Sequence, residues 1–482
     1  MNPPLEPAAR ARLDDLAARA LREADHFRIY QRPWVKPRTH PSGAPVHNVF
    51  IVGAGHSGAG AWWGLRLNGV DRVAIVDARE RGQAGVWAHY DRMESLRTPK
   101  DLTGPDWGLP SLTFRAYCTE RFGEAYWNGL RRTMRRDYAD YMEWYRETLQ
   151  IPIQYRTSLV GLEPEGDLFR LACTGPNGPE VAYARTVILA TGYATDGEPF
   201  VPAYLRALDP ARCRHAAEDL RFGDLKGRRV GILGHGAGAF DCAGMALAAG
   251  AASVDLCFRR KEIPTVNPYR WFEFPGFQGH YHELDDAMRL KFERFLAQRD
   301  QPPAQGGYER AMGYSNFALH PGTDWVKAEA TAEGVRVTTT RGVMDFGFVI
   351  AATGLTDNVT FRSELSALLP HVATWGDRPR PAGEAEDAGL HSRAYLGPHF
   401  ELTEKVPGQA PYLGRVFVFS SGAAVSHGPS ITSLSGLRFA LPRVVDGVCS
   451  RLFTGDAEAF YADCERYAEP ELRLIPPEPA GD

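Results

Sequence analysis

The stretch Asn-Val-Phe-Ile-Val-Gly-Ala-Gly-His-Ser-Gly-Ala-Gly at residues 48–60 decides the fold. Residues 49–52 form a short apolar run rich in β-branched side chains, which predicts a buried strand. Gly53, Gly55 and Gly58 follow the run in the pattern G-x-G-x-x-G. The first glycine allows a tight turn, the second lets the backbone approach a pyrophosphate, and the third lets a helix lie close to its strand.

The residues that follow complete a dinucleotide-binding unit. We expect the helix to begin near Ser57, with its free N–H groups directed at phosphate. A second apolar run at residues 73–76 predicts another strand, and Asp77 ends it. An acidic residue about 20 positions after the glycines is suited to bind a ribose hydroxyl. The first unit is therefore predicted to hold a nucleotide with a free ribose, FAD, through Gly53, Gly55, Gly58 and Asp77.

A second unit of the same kind begins after a predicted strand at residues 230–233. Its glycine motif is the G-x-G-x-x-A variant formed by Gly234, Gly236 and Ala239. The next predicted strand, residues 254–258, ends on three cations instead of an acid: Arg259, Arg260 and Lys261. Arginine accommodates a ribose 2′-phosphate, so this unit is predicted to bind NADPH. The alternative is that these cations form only a solvated basic cluster.

The order of the predicted elements indicates an α/β fold with two Rossmann-like domains, the second inserted in the first. Two Ala-Thr-Gly ends, at 190–192 and 352–354, mark the crossings between them, and a small antiparallel β insertion is predicted within 151–190. The predicted domains are as follows: 1–46, an N-terminal helical arm; 47–195, the first part of the FAD domain; 196–350, the NADPH domain with an aromatic-rich insertion at 262–325; and 351–482, the second part of the FAD domain with the C-terminal helices.

Three local predictions concern the packing of individual elements. Residues 124–149 are expected to form one helix whose tyrosine stripe belongs to the core. Residues 181–184 and 186–189 are expected to be separate strands. The apolar residues between Leu13 and Leu21 recur at helical spacing, and this helix is either a strap on the main body or a contact in a homo-oligomer.

Composition excludes several classes of function. The net charge is −4 and no basic stripe is present, so nucleic acid is not an expected partner. No apolar run approaches the length of a membrane span, and the N-terminus does not resemble a signal peptide. The seven cysteines include no C-x-x-C, so we expect neither a metal site nor a redox pair, but free thiols in the cytoplasm.

Two dinucleotide units joined by an Ala-Thr-Gly strand resemble the FAD- and NADPH-dependent single-component (class B) flavoprotein monooxygenases. Residues 84–87, Ala-Gly-Val-Trp, are similar to the G-G-x-W element of that superfamily, which implies that Trp87 contacts FAD. The F-x-G-x-x-x-H fingerprint of the Baeyer–Villiger branch matches poorly, because Asp209 and Ala211 stand at its Phe and Gly positions before His215.

The branch of amino-acid and amine N-hydroxylases matches at more places. Its Lys-Asp-Leu motif is found at 100–102, and its His-Gly-x-Ser and Leu-Ser motifs are found at 427–430 and 434–435. Pro-Ser-Leu-Thr-Phe at 110–114 stands where its P-x-S-x-x-F motif is expected. Its two substrate asparagines have counterparts in the middle domain. The resemblance implies the following substrate-binding residues: Lys100, Asn267, Asn316 and Ser435.

The resemblance also implies the chemistry. It predicts that NADPH and O2 generate a C4a-hydroperoxyflavin that oxygenates a small molecule, most closely by N-hydroxylation of an amine or amino acid. Lys100 or Arg97 could lower the pKa of a substrate amine, and no general base is required. S-oxidation and Baeyer–Villiger insertion remain alternatives, as do an NADPH-dependent reductase that passes electrons to a quinone or protein partner and a flavoprotein that serves only as a scaffold.

Overall fold

The computed structural model of the protein describes residues 5–27, 33–89, 93–102, 104–192, 197–379 and 387–475. The predicted domain boundary at residues 195 and 196 lies outside the described residues. The described residues form two lobes. Each lobe is built around a sheet that contains parallel strands.

The first lobe contains the first glycine motif. Its elements up to the first crossing are α1 (Pro7–Phe27), β1 (Val46–Val52), α2 (His56–Leu67), β2 (Val73–Val76), α3 (Val86–His89), α4 (Phe114–Phe122), α5 (Glu124–Gly129), α6 (Arg135–Thr148), β3 (Ile153–Gln154), β4 (Ser158–Glu165), β5 (Leu168–Gly175) and β6 (Gly178–Leu189). Strands β3, β2, β1 and β6 lie side by side and are parallel. Strands β4 and β5 extend the sheet from β6 in antiparallel order, as the predicted β insertion required.

The second lobe is inserted between β6 and the C-terminal part of the first lobe. Its elements are β7 (Gly197–Pro199), α7 (Ala203–Arg206), β8 (Cys213–His215), β9 (Arg229–Leu233), α8 (Ala237–Ala248), β10 (Ser253–Phe258), α9 (Pro275–His280), α10 (Asp286–Arg299), α11 (Gln305–Met312), β11 (Phe317–Pro321), β12 (Trp325–Ala330), β13 (Val335–Thr339), β14 (Gly342–Phe346), β15 (Phe348–Ala351) and β16 (Leu355–Asp357). The parallel sheet has the order β11-β10-β9-β15-β8, and β12, β13 and β14 form a separate antiparallel sheet.

The two crossings between the lobes lie side by side, because β7 and β16 pair in antiparallel register. After the second crossing the chain returns to the first sheet, where β17 (Val416–Val418) pairs in parallel with β6. The remaining elements are α12 (Ala388–His391), β17 (Val416–Val418), α13 (Ala424–His427), α14 (Leu437–Thr454) and α15 (Ala457–Arg466). This topology confirms the predicted fold class.

Two local predictions were wrong. Residues 178–189 form one continuous strand, because β6 pairs with β5 along its first half and with β1 and β17 along its second half. The predicted helix at 124–149 is broken into α5 and α6. Between them, Ser95 and Met134 form a β-bridge and the Arg135 N–H donates to the carbonyl of Glu94, so the backbone there is extended. The tyrosine stripe of α6 is buried in the core, as predicted.

The N-terminal helix is a strap on the first lobe. Leu13, Leu16 and Ala20 of α1 are buried, and α1 packs against α4 and the short 3-10 helix Pro110–Leu112. Glu23 accepts hydrogen bonds from the backbone and the hydroxyl of Ser111, at 3.0 and 2.7 Å. The apolar stripe of α1 is thus covered within the chain. No helix among the described residues is long and apolar enough to cross a membrane.

Candidate active site

The first glycine motif forms the turn that its spacing predicts. Gly53 has a φ of +101°, which L-residues with side chains rarely adopt. A Cβ on Gly58 would overlap the carbonyl oxygen of Gly53, so only glycine lets α2 lie this close to β1. The backbones of Gly55 and Gly85 also touch, since a Cβ on Gly55 would lie 3.4 Å from the Gly85 Cα. The loop of residues 84–87 is therefore folded against the glycine turn.

Asp77 is held at the edge of this turn by its neighbours. Its Oδ2 accepts a hydrogen bond from the Ala54 N–H at 2.8 Å, and its Oδ1 accepts one from the Arg79 N–H at the same distance. The side chain is buried, and each carboxylate oxygen still has a free lone pair. Asp77 can consequently accept a further hydrogen bond from a ribose hydroxyl without moving.

Three aromatic side chains beside the turn carry polar atoms that lack partners. Trp87, predicted from the resemblance, lies with its ring centroid 6.4 Å from that of His56 and 6.3 Å from that of Tyr138. The His56 Nδ1, the Trp87 Nε1 and the Tyr138 hydroxyl are buried and have no hydrogen-bond partner among the described residues. Buried polar atoms are nearly always paired, so these three are suited to the polar groups of a bound molecule. The glycine cradle and these atoms fit FAD.

His56 and Tyr138 were missed as site residues by sequence reasoning. Tyr138 was read as a core residue in a helical stripe, and a single histidine after a glycine carries no pattern of its own. Burial lowers the pKa of His56 to about 4, and the Thr432 carbonyl bound to its Nε2 offsets this only partly. His56 is therefore neutral at physiological pH.

The second glycine motif has the same geometry. Gly234 has a φ of +132°, and a Cβ there would overlap the carbonyl oxygen of Ala352. Helix α8 begins directly after Gly236, and Ala239 is buried in its first turn. At the end of β10, Arg259 and Lys261 are exposed. Arg260 is half-buried and donates to the carbonyl of Gln298 at 3.1 Å. This corner can supply cations to a phosphate, so the residues fit NADPH.

A cavity of about 450 Å³ lies between the two lobes. Its lining residues are Arg97, Arg132, Ile263, Pro264, Thr265, Asn267, Arg270, Pro302, Pro303, Ala304, Gln305 and Tyr308. Three of them are arginines, and the Glu273 carboxylate lies 2.8 Å from Arg270 Nη1 and within electrostatic reach of Arg132. The N-terminus of α11 also opens on the cavity, and no side chain caps it. The cavity is therefore electropositive and suited to an anion.

Two of these arginines are held in place by hydrogen bonds, and those of Arg97 join the lobes. The Arg97 guanidinium donates to the Gln301 side chain and to the Pro302 carbonyl, and Arg132 donates to the Arg97 carbonyl. Arg135, three residues after Arg132, donates to the Trp87 carbonyl at 2.6 Å. The segment from Arg132 to Tyr138 thus connects the cavity to the aromatic side chains beside the first glycine turn.

The structure brings only some of the predicted substrate residues to this cavity. Asn267 and Arg97 line it. Lys100 instead donates to the Trp127 carbonyl at 2.6 Å, and Ser435 contacts Ser433 at 2.9 Å in the loop that binds His56 through Thr432. Asn316 lies at the amino end of β11, where its amide donates to the carbonyls of Ala251 and Ala252. Ligands bind at the carboxyl ends of such sheets, so we leave Asn316 out of the proposed site.

Two glycine turns, each at the carboxyl end of parallel strands in its own lobe, define a flavoprotein with two dinucleotide-binding domains. Residues 50–273 match the family model described as pyridine nucleotide-disulphide oxidoreductase. The chain is 40% identical over 433 residues to an FAD-dependent urate hydroxylase of Xanthomonas campestris pv. campestris, which covers 89% of this chain and 90% of that protein. The chain therefore belongs to the family of that hydroxylase, the class B flavoprotein monooxygenases, as the motifs predicted.

Solved structures show the same fold. An ornithine N-hydroxylase of Kutzneria sp. 744, crystallised with reduced FAD, NADP+ and L-ornithine, aligns with a TM-score of 0.66 at 18% identity. The alignment covers 84% of this chain and 100% of the Kutzneria chain. The reduced ornithine hydroxylase of Pseudomonas aeruginosa aligns with a TM-score of 0.64 at 18% identity and equal coverage. The predictions of a flavin-dependent monooxygenase and of FAD and NADPH as its cofactors agree with these relatives and are confirmed at that level.

None of the seven cysteines forms a disulfide, and five of them are buried: Cys118, Cys173, Cys213, Cys242 and Cys257. The family model matches residues 50–273, which contain both glycine motifs.

Proposed function

We propose that this chain is an FAD- and NADPH-dependent monooxygenase that hydroxylates a small planar anion of the urate type. The electropositive cavity between the lobes carries this proposal. The relationship to the Xanthomonas urate hydroxylase supports it, because that protein aligns over 90% of its length. Urate is anionic at neutral pH and presents oxygen and nitrogen acceptors around a flat ring, which suits the planar forks of arginine.

The binding of substrate is assigned to the cavity's own side chains. Arg97 and Arg132 are preorganised by their interactions, so little side-chain entropy is lost when they meet an anion. Arg270 is more exposed and is free to adjust its position, and Asn267 offers an amide group at the same wall. A simple alkylammonium would be repelled by three guanidinium groups, whereas a carboxylate or an enolate-like oxygen would be bound.

The binding of FAD is assigned to the first glycine turn. Gly53, Gly55 and Gly58 would let the backbone approach the pyrophosphate, Asp77 would bind the ribose, and Trp87 would lie beside the bound group. When bound, FAD supplies the redox chemistry, in which it takes hydride from the reduced nicotinamide and activates O2. The second glycine turn, with Gly234, Gly236 and Ala239, and the cations Arg259, Arg260 and Lys261 would bind NADPH.

The protein's remaining task is to keep water away from the reacting groups. The aromatic side chains of Trp87 and Tyr138 close the first glycine turn, and Leu434 packs beside Gly104 near the same tyrosine. Exclusion of water strengthens electrostatic contacts and limits the loss of activated oxygen as peroxide. His56 is neutral there and does not have to exchange a proton in this scheme.

A substrate screen tests the proposal. The FAD-loaded protein is mixed with NADPH and O2, and NADPH consumption, peroxide and hydroxylated product are measured with urate, L-ornithine, L-lysine, cadaverine, a sulfide and a ketone. We expect urate to accelerate NADPH oxidation and to suppress peroxide relative to the substrate-free enzyme. Uncoupled oxidation with urate, in which all O2 is recovered as peroxide, would contradict the proposal.

A variant pair locates the substrate. Removal of one charged hydrogen bond to an anion weakens binding by about tenfold, so Arg270→Gln should raise the KM for urate by about that factor with kcat within about twofold. Arg299→Gln is the matched control, since Arg299 belongs to the same insertion but only faces the Phe295 ring at 5.4 Å. Steady-state kinetics measure both. An unchanged KM in Arg270→Gln would remove the cavity from the proposed substrate site.

N-hydroxylation of an amino acid is the second candidate function. The same arginines could hold an amino-acid carboxylate, and Asn267 at the cavity corresponds to a substrate asparagine of the N-hydroxylases. Coupled formation of a hydroxylamine from L-ornithine or L-lysine, without turnover of urate, would establish this function instead. In that case Lys100→Met tests whether the Lys100 ammonium lowers the pKa of the substrate amine. If it does, amine turnover is slower in the variant.

A further inference from the structure

A carboxylate from outside the second βαβ unit lies at its glycine turn. Asp300 follows the last residue of α10, and its Oδ2 is 3.0 Å from Nε2 of His235 and 3.7 Å from Nε of Arg260. His235 stands between Gly234 and Gly236 in the glycine motif, and Arg260 is the second residue after β10. Asp300 thus reaches the glycine turn and the end of the second strand at once.

The position of Asp300 corresponds to a defined part of a bound dinucleotide. In such a unit the pyrophosphate lies at the helix N-terminus, and the adenosine ribose lies beside the end of the second strand. A side chain that contacts the residues at both places is next to the ribose and its 2′ substituent. The usual acid at this strand end is absent here, because Arg259 and Arg260 occupy it.

The charge of Asp300 is maintained in the folded protein. Its contact with His235 is the main cause that lowers the pKa of the Asp300 carboxyl, and it outweighs the opposite effect of burial. The group is therefore ionised at neutral pH. A carboxylate accepts a hydrogen bond from a ribose 2′-hydroxyl but repels a 2′-phosphate, whereas an arginine does the reverse.

We propose that Asp300 is a coenzyme-discriminating residue that favours a free 2′-hydroxyl and opposes the cations of residues 259–261. With Asp300 present, the protein prefers NADPH over NADH less strongly than it would with these cations alone. This inference rests on the proposed function, because it takes the second glycine turn as the nicotinamide coenzyme site.

The substitution Asp300→Asn isolates the charge. Asp300 has a φ of +62° and a ψ of 175°, which side chains generally disfavour, so the substitute is asparagine, the amide of the same shape as aspartate. The amide keeps an acceptor oxygen for the Gln301 N–H, which now donates to Asp300 Oδ1 at 2.7 Å. The substitution therefore leaves intact the loop after Asp300, in which Gln301 and Pro302 accept hydrogen bonds from Arg97.

The experiment measures binding with two ligands that differ only in the 2′-phosphate. Calorimetry of the full-length, FAD-loaded protein with 2′,5′-ADP and with 5′-AMP gives the ratio of their dissociation constants, and NADP+ and NAD+ provide a second pair. In Asp300→Asn we expect 2′,5′-ADP to bind about tenfold more tightly, and 5′-AMP no more tightly than in the wild type. Arg260→Gln should move the ratio in the opposite direction. Glu333→Gln removes the same charge from an exposed turn and should leave the ratio unchanged.

The outcomes separate this inference from the proposed function. If the wild type binds these ligands and Asp300→Asn leaves the ratio within twofold, the inference is overturned while the coenzyme site stands. If both ligands change by the same factor, Asp300 has only a structural role and the inference is again overturned. If the wild type binds none of the four ligands, the second glycine turn is not a coenzyme site, and both the proposed function and the inference fail.

Discussion

At residue scale, single atoms decide what the glycine turns can accommodate. Gly58 has no room for a methyl group, because the Gly53 carbonyl fills that space, and Gly55 meets Gly85 backbone to backbone. The buried atoms of His56, Trp87 and Tyr138 add three polar positions that remain without partners among the described residues. The first of these contacts would be destroyed by a methyl group at Gly58.

The substitution Gly58→Ala should therefore abolish most flavin binding. The added methyl group must push α2 away from β1, at a cost of about 3 kcal/mol, which corresponds to an affinity loss of about 100-fold. The measurement is the flavin absorbance per mole of purified protein, with circular dichroism as a check on folding. Gly223→Ala is the control, since a Cβ there meets nothing within 4 Å. Equal flavin content in both variants would show that the turn does not hold the flavin.

At element scale, α1 illustrates how an amphipathic helix is used. Its buried face lies on α4 and on the 3-10 helix Pro110–Leu112, and Glu23 binds both polar groups of Ser111. The period of the apolar residues predicted the helix but left the covering surface open. The structure shows that the chain itself covers the helix, so α1 stabilises the segment of residues 110–114.

A pair of leucine substitutions tests this role. Leu16→Ala should cost about 3 kcal/mol of the unfolding free energy of the first lobe, because Leu16 is fully buried and a cavity would remain. Leu21→Ala on the same helix should cost at most about 0.5 kcal/mol, since 40% of Leu21 is exposed. Urea titration followed by flavin fluorescence measures both. Equal losses in the two variants would mean that α1 is not docked as described.

At the scale of the whole molecule, the insertion joins the two lobes. The Arg289 guanidinium donates to the Ser426 carbonyl at 3.2 Å, and Arg443 donates to the Gly279 carbonyl. Beside these contacts, the ring of His282 stacks on that of His427 at a centroid distance of 5.9 Å. A further contact between the lobes is the ion pair of Arg310 Nη1 with Glu94 Oε1, at 2.9 Å. The arginine-lined cavity thus depends on the docking of the lobes.

The two histidines at this contact predict a pH dependence of stability. Burial is the main cause that lowers both pKa values, with Arg443 next, and that of His282 falls from 6.5 to about 4. The unfolded chain then takes up protons below about pH 6.5 while the folded chain does not, so acid favours unfolding. We expect the thermal midpoint to fall between pH 6.5 and 4, because His427 alone removes up to about 1.4 kcal/mol of the free energy of unfolding per pH unit.

Substitution of the histidines checks the origin of this slope. His282→Gln and His427→Gln should each flatten the dependence of the thermal midpoint on pH, whatever their effect on absolute stability. His26→Gln is the control, because His26 is an exposed residue of α1 that takes no part in this contact. The explanation is wrong if all three variants keep the wild-type slope.

The sequence by itself determined the two dinucleotide units and their order. Each unit is specified within about 30 residues by apolar strands, glycines whose backbone needs are local, and a charged residue at a strand end. The tyrosine stripe of α6 was readable for the same reason, since helical period is a local property. The break between α5 and α6 was not readable, because a backbone pairing with residues 94 and 95 causes it.

The tertiary structure alone decided which charges meet. Arg97 and Gln301 are 204 positions apart, and they share a cavity wall only because the inserted lobe docks on the first. The same docking places Asp300 at the second glycine turn and leaves Asn316 at the far edge of its sheet. Coulomb and hydrogen-bond energies depend on distances of a few ångströms, and burial of apolar surface across the whole chain sets those distances. No local pattern encodes them.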